Sequence, residues 1–248
     1  MKNRASFFAF LLLLIVSAGP SCKKENLGDC FKRTGKVMTE ARDLPAFDKI
    51  YARDNVDVIL TEDTGQEVLV EAGKNLLGLI RTEVREGTLY IRNDNRCNFT
   101  RRYDSPIRVL LRVPRTFASI ITEGCGQISN TNTFTGDTIH LEVRGGSADI
   151  DFTVSSQKVV TAQHGAGDIT VRGTADHLYA YNIGTGYTLA EDLSAGYCYA
   201  FLKTVGITRL NVRDLLQITV TSRGNVYYRG NPEIESHIEG TGQLLPMQ

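Results

Sequence analysis

A short motif built around glycine recurs at even intervals through the second half of this 248-residue chain. Each copy is a corner of small residues followed by a β-prone residue, and successive copies begin 18 to 22 residues apart. The seven copies begin at Gly124, Gly146, Gly165, Gly184, Thr204, Ser222 and Gly240. A period of this size is typical of a solenoid, in which one turn of chain buries its apolar face only by stacking on the next turn.

The residues within each repeat predict how the turns stack. Glycine suits the corners because it tolerates positive φ and allows two backbones to approach closely. The aliphatic residue that ends a corner, such as Ile128, Ile150 or Ile169, is expected to point inward and stack on its counterpart one coil away. Parallel coils would lie about 4.8 Å apart. The sequence therefore predicts an all-β, single-domain parallel β-helix, with coils of about 20 residues and room for three short strands in each.

The first 21 residues have the three parts of an export signal. Lys2 and Arg4 supply the positive start, residues 7–16 form an apolar run too short to span a bilayer, and residues 17–21 form a small-residue cleavage zone. Cys22 follows at once, which resembles the lipobox of bacterial lipoproteins and predicts lipidation of Cys22. The alternative is an ordinary secretory signal, with Cys22 left as a free thiol. The predicted location is the outer membrane, on its cell-surface or periplasmic face, with the membrane as a partner.

Charge gives no support for nucleic-acid binding. Lys2 and Arg4 account for two of the 28 basic side chains, so the rest of the chain has two more acidic than basic side chains and no basic block. No later stretch approaches the roughly twenty apolar residues of a membrane span.

Apart from Cys22, the chain has four cysteines: Cys30, Cys97, Cys125 and Cys198. An exported protein sits where disulfides persist, and four cysteines permit three pairings. We favour Cys30 with Cys97, because both lie in polar, irregular segments. Cys125 and Cys198 are expected to be small buried residues. The spacing of Cys and His does not suggest zinc, and we expect no cofactor.

Several segments, in their order along the chain, resemble a known family. They are residues 55–60, 72–76, 82–84, 87–94 and 224–230, together with the Gly-x-Gly-Asp-Ile type of corner. Over about residues 47–244 they resemble the family described as putative auto-transporter adhesin, head GIN domain. The resemblance implies an exported protein or lipoprotein of Bacteroidetes, a right-handed parallel β-helix and no catalytic residues. The expected organisation is a signal peptide at 1–21, a tether and cap at 22–46, the β-helix at 47–244 and a tail at 245–248.

Two groups of polar residues deserve comparison with enzyme and metal sites. Asp149 and Asp168 occupy the same corner position in adjacent repeats, so they are candidates for a carboxylate pair that holds Ca²⁺, although a solvated turn needs such residues too. Parallel β-helices also include polysaccharide lyases. A group of basic side chains in neighbouring repeats is therefore the candidate for catalysis, with His164 as its base: His140, Arg144, His164, Arg172 and His177.

Tyrosines recur in neighbouring repeats, and they are the candidate binding residues. Tyr179, Tyr181, Tyr197 and Tyr199 are predicted to form a strip that stacks on sugar rings or packs on a protein partner, with packing at the core or edge as the alternative.

Taken together, the sequence predicts a non-catalytic, lipid-anchored envelope protein that acts in adhesion, scaffolding, or binding of a glycan or envelope protein. The alternative is a carbohydrate-active enzyme, of lyase or hydrolase type, on a parallel β-helix.

Overall fold

The computed structural model describes residues 33–95 and 106–247, and β-strands dominate both ranges. The strands are β1 (Val37–Ala41), β2 (Lys49–Asp54), β3 (Asp57–Glu62), β4 (Glu67–Gly73), β5 (Ile80–Arg85), β6 (Thr88–Asn93), β7 (Arg108–Val113), β8 (Ser119–Gly124), β9 (Gln127–Asn130), β10 (Thr138–Val143), β11 (Asp149–Gln163), β12 (Ile169–Asn182), β13 (Thr188–Leu202), β14 (Thr208–Val220), β15 (Val226–Arg229), β16 (Glu233–Ile238) and β17 (Leu244–Pro246). Within these ranges the sole helical element is a 3₁₀ turn at Leu77–Leu79. No helix there is long and apolar enough to cross a bilayer.

The strands stack as the coils of a β-solenoid, and most of their pairings are parallel. Wall A consists, in spatial order, of β5, β6, β2, β8, β10, the second halves of β11 to β14, and β16. Wall B consists of β1, β4, β7, β3, β9, the first halves of β11 to β14, β15 and β17. The chain passes from wall A to wall B through the glycine corners. The predicted fold class is confirmed.

The expectation of three short strands in each coil is wrong. β11 to β14 each run 13 to 15 residues, from one corner almost to the next. β11 and β12 bend from wall B to wall A in nearly continuous register, whereas the pairings of β12 with β13 and of β13 with β14 shift register at or near the bend. Gly173 lies in this bend with a φ of 107°, a conformation open to glycine but rarely to other residues.

The corners stack backbone on backbone, as the repeat predicts. The N–H of Ser147 donates to the carbonyl oxygen of Gly124 (2.9 Å), and the N–H of Ala166 donates to that of Gly146 (2.8 Å). Gly146 has a φ of 78°, and a Cβ atom there would overlap the carbonyl oxygen of Gly124. Glycine is therefore required at this position both by the backbone conformation and by the close approach of the coil beneath.

Buried polar side chains line the inside of the same corners. The Asn182 side chain accepts from the N–H of Gly184 and donates to the carbonyl oxygen of Gly186, both at 3.1 Å. Gln163 does the same one coil earlier, accepting from the N–H of Gly165 at 3.0 Å and donating to Gly167. These contacts matter because a buried backbone group without a partner costs about 1–3 kcal/mol.

The space between the walls is filled by stacked apolar side chains. Ile150 is in register with Ile128 on one side and Ile169 on the other, and all three are at most 1% exposed. This confirms the predicted inward ladder. Three buried phenylalanines, Phe117, Phe134 and Phe152, form a second ladder, with ring centroids 5.9 and 4.9 Å apart.

The N-terminal end does not follow the order of the sequence. β2 lies between β6 and β8, and β3 lies between β7 and β9. The chain thus makes the β2–β3 coil first, builds the β6–β7 coil outside it, and then returns to stack β8 and β9 on its other side. β1, β4 and β5 add antiparallel strands to this end.

The β2–β3 coil makes the same corner without glycine. Asp54 adopts a φ of 64°, and its carbonyl oxygen accepts from the N–H of Cys125 (2.9 Å), as the Gly124 carbonyl does one coil later. The Asp54 carboxylate also accepts from the N–H of Asn93 (3.1 Å). Aspartate is among the residues that enter this conformation most readily after glycine.

The two cysteines within the described residues are unpaired and differ in environment. Cys198 is fully buried, as expected, and its burial raises the pKa of the thiol to about 12. Cys125 is exposed, so the expectation that it is buried is wrong: its side chain projects from the outside of a corner. Cys22, Cys30 and Cys97 lie outside the described residues, and the lipidation and the Cys30–Cys97 disulfide stay predictions.

Candidate functional site

The outer surface of wall A carries a grid of six aromatic side chains, which we call the aromatic grid. Residues alternate in direction along β12 and β13, so every second side chain faces outward while those between, such as Leu178 and Cys198, are buried. The parallel register places the outward residues of the two strands side by side. The three pairs are His177 with Tyr197, Tyr179 with Tyr199, and Tyr181 with Phe201.

The rings of each pair are stacked face to face along the solenoid axis. Tyr179 and Tyr199 have centroids 5.1 Å apart and planes 18° apart, and Tyr181 and Phe201 have values of 5.5 Å and 13°. His177 stacks on Tyr197 at 5.1 Å. Such contacts contribute about 0.5–1.5 kcal/mol each beyond the area they bury. The stacking fixes the rings as a pre-formed surface that needs little reordering when a ligand binds.

A groove runs between the second and third pairs of the grid. It has a volume of about 360 Å³, with Tyr179 and Tyr199 on one side, Tyr181 and Phe201 on the other, and the chain at Ala200 in its lining. Tyr179, Tyr181 and Phe201 are each 38 to 40% exposed, although they are large aromatic residues. The Lys158 ammonium lies 4.7 Å from the centre of the Tyr179 ring and adds a cation beside the groove. The groove therefore offers apolar ring surface together with hydroxyl and ammonium donors.

All four tyrosines proposed from the sequence lie in the grid. Sequence reasoning missed Phe201 as a member and treated His177 only as a catalytic candidate. A signal was available: residues 177, 179 and 181 alternate with buried residues, and residues 197, 199 and 201 repeat the pattern 20 positions later. Two further tyrosines of the repeat region, Tyr227 and Tyr228, belong to β15 on wall B and lie outside the grid.

The five residues considered for catalysis do not converge on one site. His140 contacts the Ser119 hydroxyl (3.2 Å), and burial lowers its pKa. Arg172 pairs with Asp151 on wall B. His164 and His177 pack against different rings of the aromatic grid, Tyr181 and Tyr197. Arg144 makes a two-bonded ion pair with Glu142.

The two corner aspartates hold backbone groups of the next coil. The Asp149 carboxylate accepts from the N–H of Asp168 (2.8 Å), and the Asp168 carboxylate accepts from the N–H of Tyr187 (2.8 Å). Throughout the described ranges, no three His, Cys, Asp or Glu side chains are grouped closely enough to hold a metal ion. The aspartates thus have a structural use, which is to link stacked corners.

Comparison with known proteins identifies the family. The profile of the family described as putative auto-transporter adhesin, head GIN domain, matches residues 46–232. The chain belongs to this family. The resemblance seen in the sequence is therefore confirmed, and the family supports a non-catalytic adhesion role for an exported, cell-surface protein. No curated protein sequence matches the chain.

Solved structures share the fold. A putative adhesin from Bacteroides fragilis is 23% identical, with a TM-score of 0.78, and the match covers 86% of this chain and 97% of that one. A putative adhesin from Parabacteroides distasonis is 19% identical, with a TM-score of 0.63 over 86% and 98% of the two chains. A putative lipid binding protein from the same species is 18% identical, with a TM-score of 0.65 over the same shares. At these identities the likeness establishes the shared fold.

Proposed function

We propose that this head GIN domain protein is a non-catalytic adhesin that binds glycans through the aromatic grid. The observation that carries the proposal is the set of six outward-facing rings, stacked in register on two neighbouring strands. Contiguous exposed apolar surface with polar borders is typical of interaction sites.

The chemistry of the grid suits sugars better than a purely apolar partner. A sugar ring has an apolar C–H face and a rim of hydroxyl groups. The grid supplies aromatic surface for the face, and the tyrosine hydroxyls and the Lys158 ammonium supply partners for the rim. The groove between the Tyr179 and Tyr181 columns runs along the solenoid axis, so it favours an extended chain over a single compact ligand.

The test is affinity electrophoresis against a panel of neutral polysaccharides. Tyr199→Ala and Phe201→Ala should each weaken binding at least 10-fold, because each removes one ring from a stacked pair. Tyr187→Ala is the matched control: Tyr187 is 41% exposed but lies at a corner outside the grid, so its loss should leave binding unchanged. Equal binding by all three variants, or no binding by the native protein to any glycan, would refute the proposal.

The alternative of a carbohydrate-active enzyme is tested on a panel of acidic polysaccharides, because lyase cleavage by β-elimination needs a uronic acid. Incubation should yield no new reducing ends and no unsaturated products. Turnover that is abolished by His164→Ala would replace the binding proposal with a catalytic one.

We also propose that lipidation of Cys22 anchors the protein to the outer membrane. The support is the placement of Cys22 directly after the export signal, together with the cell-surface role of the family. Stable anchoring needs two or more acyl chains, which a lipoprotein cysteine carries. Cys22→Ala should move the protein from the membrane fraction to the soluble fraction, and unchanged membrane association would exclude this anchor.

A further inference from the structure

A second cavity lies on wall A, among the coils of the N-terminal end. It has a volume of about 530 Å³ and is formed largely by β2, β5 and β6, with contributions from β8 and Arg144. Its lining combines two tyrosines with five arginines: Arg53, Arg81, Arg85, Arg92 and Arg144.

Three of these arginines form a row across adjacent strands. Arg81 on β5 is directly opposite Arg92 on β6. Ala52 on β2 pairs with Ile91, so Arg53 is level with Arg92 on its other side. Like charges directly opposite each other on a sheet are destabilising. A row of three cations, each more than half exposed, therefore opposes folding unless acidic groups offset it.

The acidic neighbours satisfy this row only in part. Arg81 and Arg92 share a single carboxylate, that of Asp94, at 3.1 and 3.4 Å, and Arg53 approaches Glu123 at 3.5 Å. Each of these contacts uses the Nε atom. Within the described ranges, the terminal nitrogens of the three guanidinium groups donate no hydrogen bond. The row thus has an excess positive charge and unused donors.

The other two arginines show what full pairing looks like in the same cavity. Arg85 makes two hydrogen bonds to Glu83, at 2.8 and 2.6 Å, and Arg144 makes two to Glu142, at 2.7 and 3.1 Å. A two-bonded pair of this kind is the geometry that guanidinium groups form with planar or tetrahedral oxyanions. Arg53, Arg81 and Arg92 lack such a partner and remain available for one.

Tyrosine surface lies beside the arginine row. Tyr51 and Tyr90 are in register on β2 and β6, with ring centroids 5.6 Å apart. They are two residues before Arg53 and Arg92 on the same faces of the same strands, so one ligand can reach a ring and a guanidinium group together. The cavity therefore matches a sugar that carries an acidic group.

We infer that this cavity binds the carboxylate or sulfate groups of an acidic glycan. The inference rests on the proposed glycan-binding function and deepens it by naming the ligand class. In this arrangement the aromatic grid binds sugar rings, and the arginine row on the same wall binds the negatively charged groups of the glycan. A chain that follows the solenoid axis along wall A contacts both.

The experiment compares ligands that differ only in charge. Isothermal titration calorimetry would use oligogalacturonate with its methyl ester, and dextran sulfate with dextran, so that the second member of each pair is neutral. The native protein should bind at least one acidic form at least 10-fold more tightly than its neutral form. Arg92→Gln should remove that preference. Arg92→Lys should retain part of it, because lysine keeps the positive charge but cannot make the two parallel hydrogen bonds of a guanidinium group.

The matched control is Arg209→Gln, which removes an arginine that pairs with Glu191 on wall B at 3.1 Å. Its ligand preference should equal that of the native protein. Equal affinity of the native protein for the acidic and neutral forms, or an unchanged preference in Arg92→Gln, would overturn the inference. Loss of neutral-glycan binding in Tyr199→Ala would still support the grid in that case. Binding of the acidic form that depends on Arg92 but is not weakened by Tyr199→Ala would support the cavity and refute the grid.

Discussion

The two ends of the solenoid build the same two walls by different routes. From β10 onward, each coil stacks on the coil that precedes it in sequence, so partners such as Ile150 and Ile169 are about one repeat apart. At the N-terminal end, Lys49 on β2 pairs with Thr88 on one side and with Ser119 on the other. Closing such long loops costs more chain entropy before contacts form. The contrast shows that the repeat sets the stacking order only where partners are close in sequence.

The largest expected loss of stability comes from removing a core side chain of the regular coils, and it should exceed the loss from removing one at the N-terminal end. Phe152→Ala removes a fully buried ring that packs on Phe134 at 4.9 Å, and it should lower the free energy of unfolding by about 3–5 kcal/mol. Leu77→Ala, in the 3₁₀ turn at the N-terminal end, should cost about 2–3 kcal/mol, because Leu77 keeps 6% exposure at the margin of the core. Urea denaturation measures both. A larger loss for Leu77→Ala would reverse this ranking of the two interiors.

Corner glycines should give the next largest effect. Gly146→Ala forces an alanine into a φ of 78° and against the Gly124 carbonyl, so we expect a loss of about 2–4 kcal/mol. Gly145→Ala is the control, because a Cβ atom there meets no other group within 4 Å. Thermal unfolding should separate these neighbours clearly. Similar melting temperatures for the two variants would mean that close stacking does not govern the corners.

Removing a polar side chain from the inside of a corner should cost more stability than removing one from its outside, although the difference is smaller than for the glycines. Asn182→Ala leaves the N–H of Gly184 and the carbonyl of Gly186 without their buried partner, at a cost of about 1–3 kcal/mol. Asp168→Ala removes a half-buried carboxylate from the corner one coil earlier, where it accepts from the N–H of Tyr187, and should cost about 0.5 kcal/mol. Unfolding of both variants in guanidinium chloride measures this difference in stability. Equal stabilities would mean that water replaces the hydrogen bonds of the Asn182 side chain.

The smallest effect is expected at the corner that lacks glycine. Asp54→Gly relieves the strain of an L residue at a φ of 64° but loses the carboxylate that holds the N–H of Asn93. The two changes oppose each other, so stability should shift by about 1 kcal/mol or less. A loss above 2 kcal/mol would show that the Asn93 contact, rather than the backbone turn, holds the N-terminal coils together.

The periodic features of the fold and of the site could be predicted from the sequence, and the non-periodic ones could not. The glycine corners, the Ile128–Ile150–Ile169 ladder and the four tyrosines of the grid all follow from local periodicity, because parallel stacking brings equivalent positions together. The insertion of β2 and β3 between later strands has no periodic signal. The arginine row was missed for the same reason: the β5–β6 hairpin places Arg81 opposite Arg92, but Arg53 joins them only through that insertion.

The inserted coil also determines how the molecule bears mechanical load. β2 is hydrogen-bonded along both of its edges, to β6 and to β8, and β3 is held in the same way by β7 and β9. Tension applied from the N-terminal side first separates β1, which pairs with β4 along one edge, and then reaches β2, where the hydrogen bonds to both β6 and β8 must break before the strand slides out. A terminal strand with one bonded edge would peel away more easily. The way the chain is threaded makes the β2–β3 coil resist pulling more strongly than a terminal coil at the same end would.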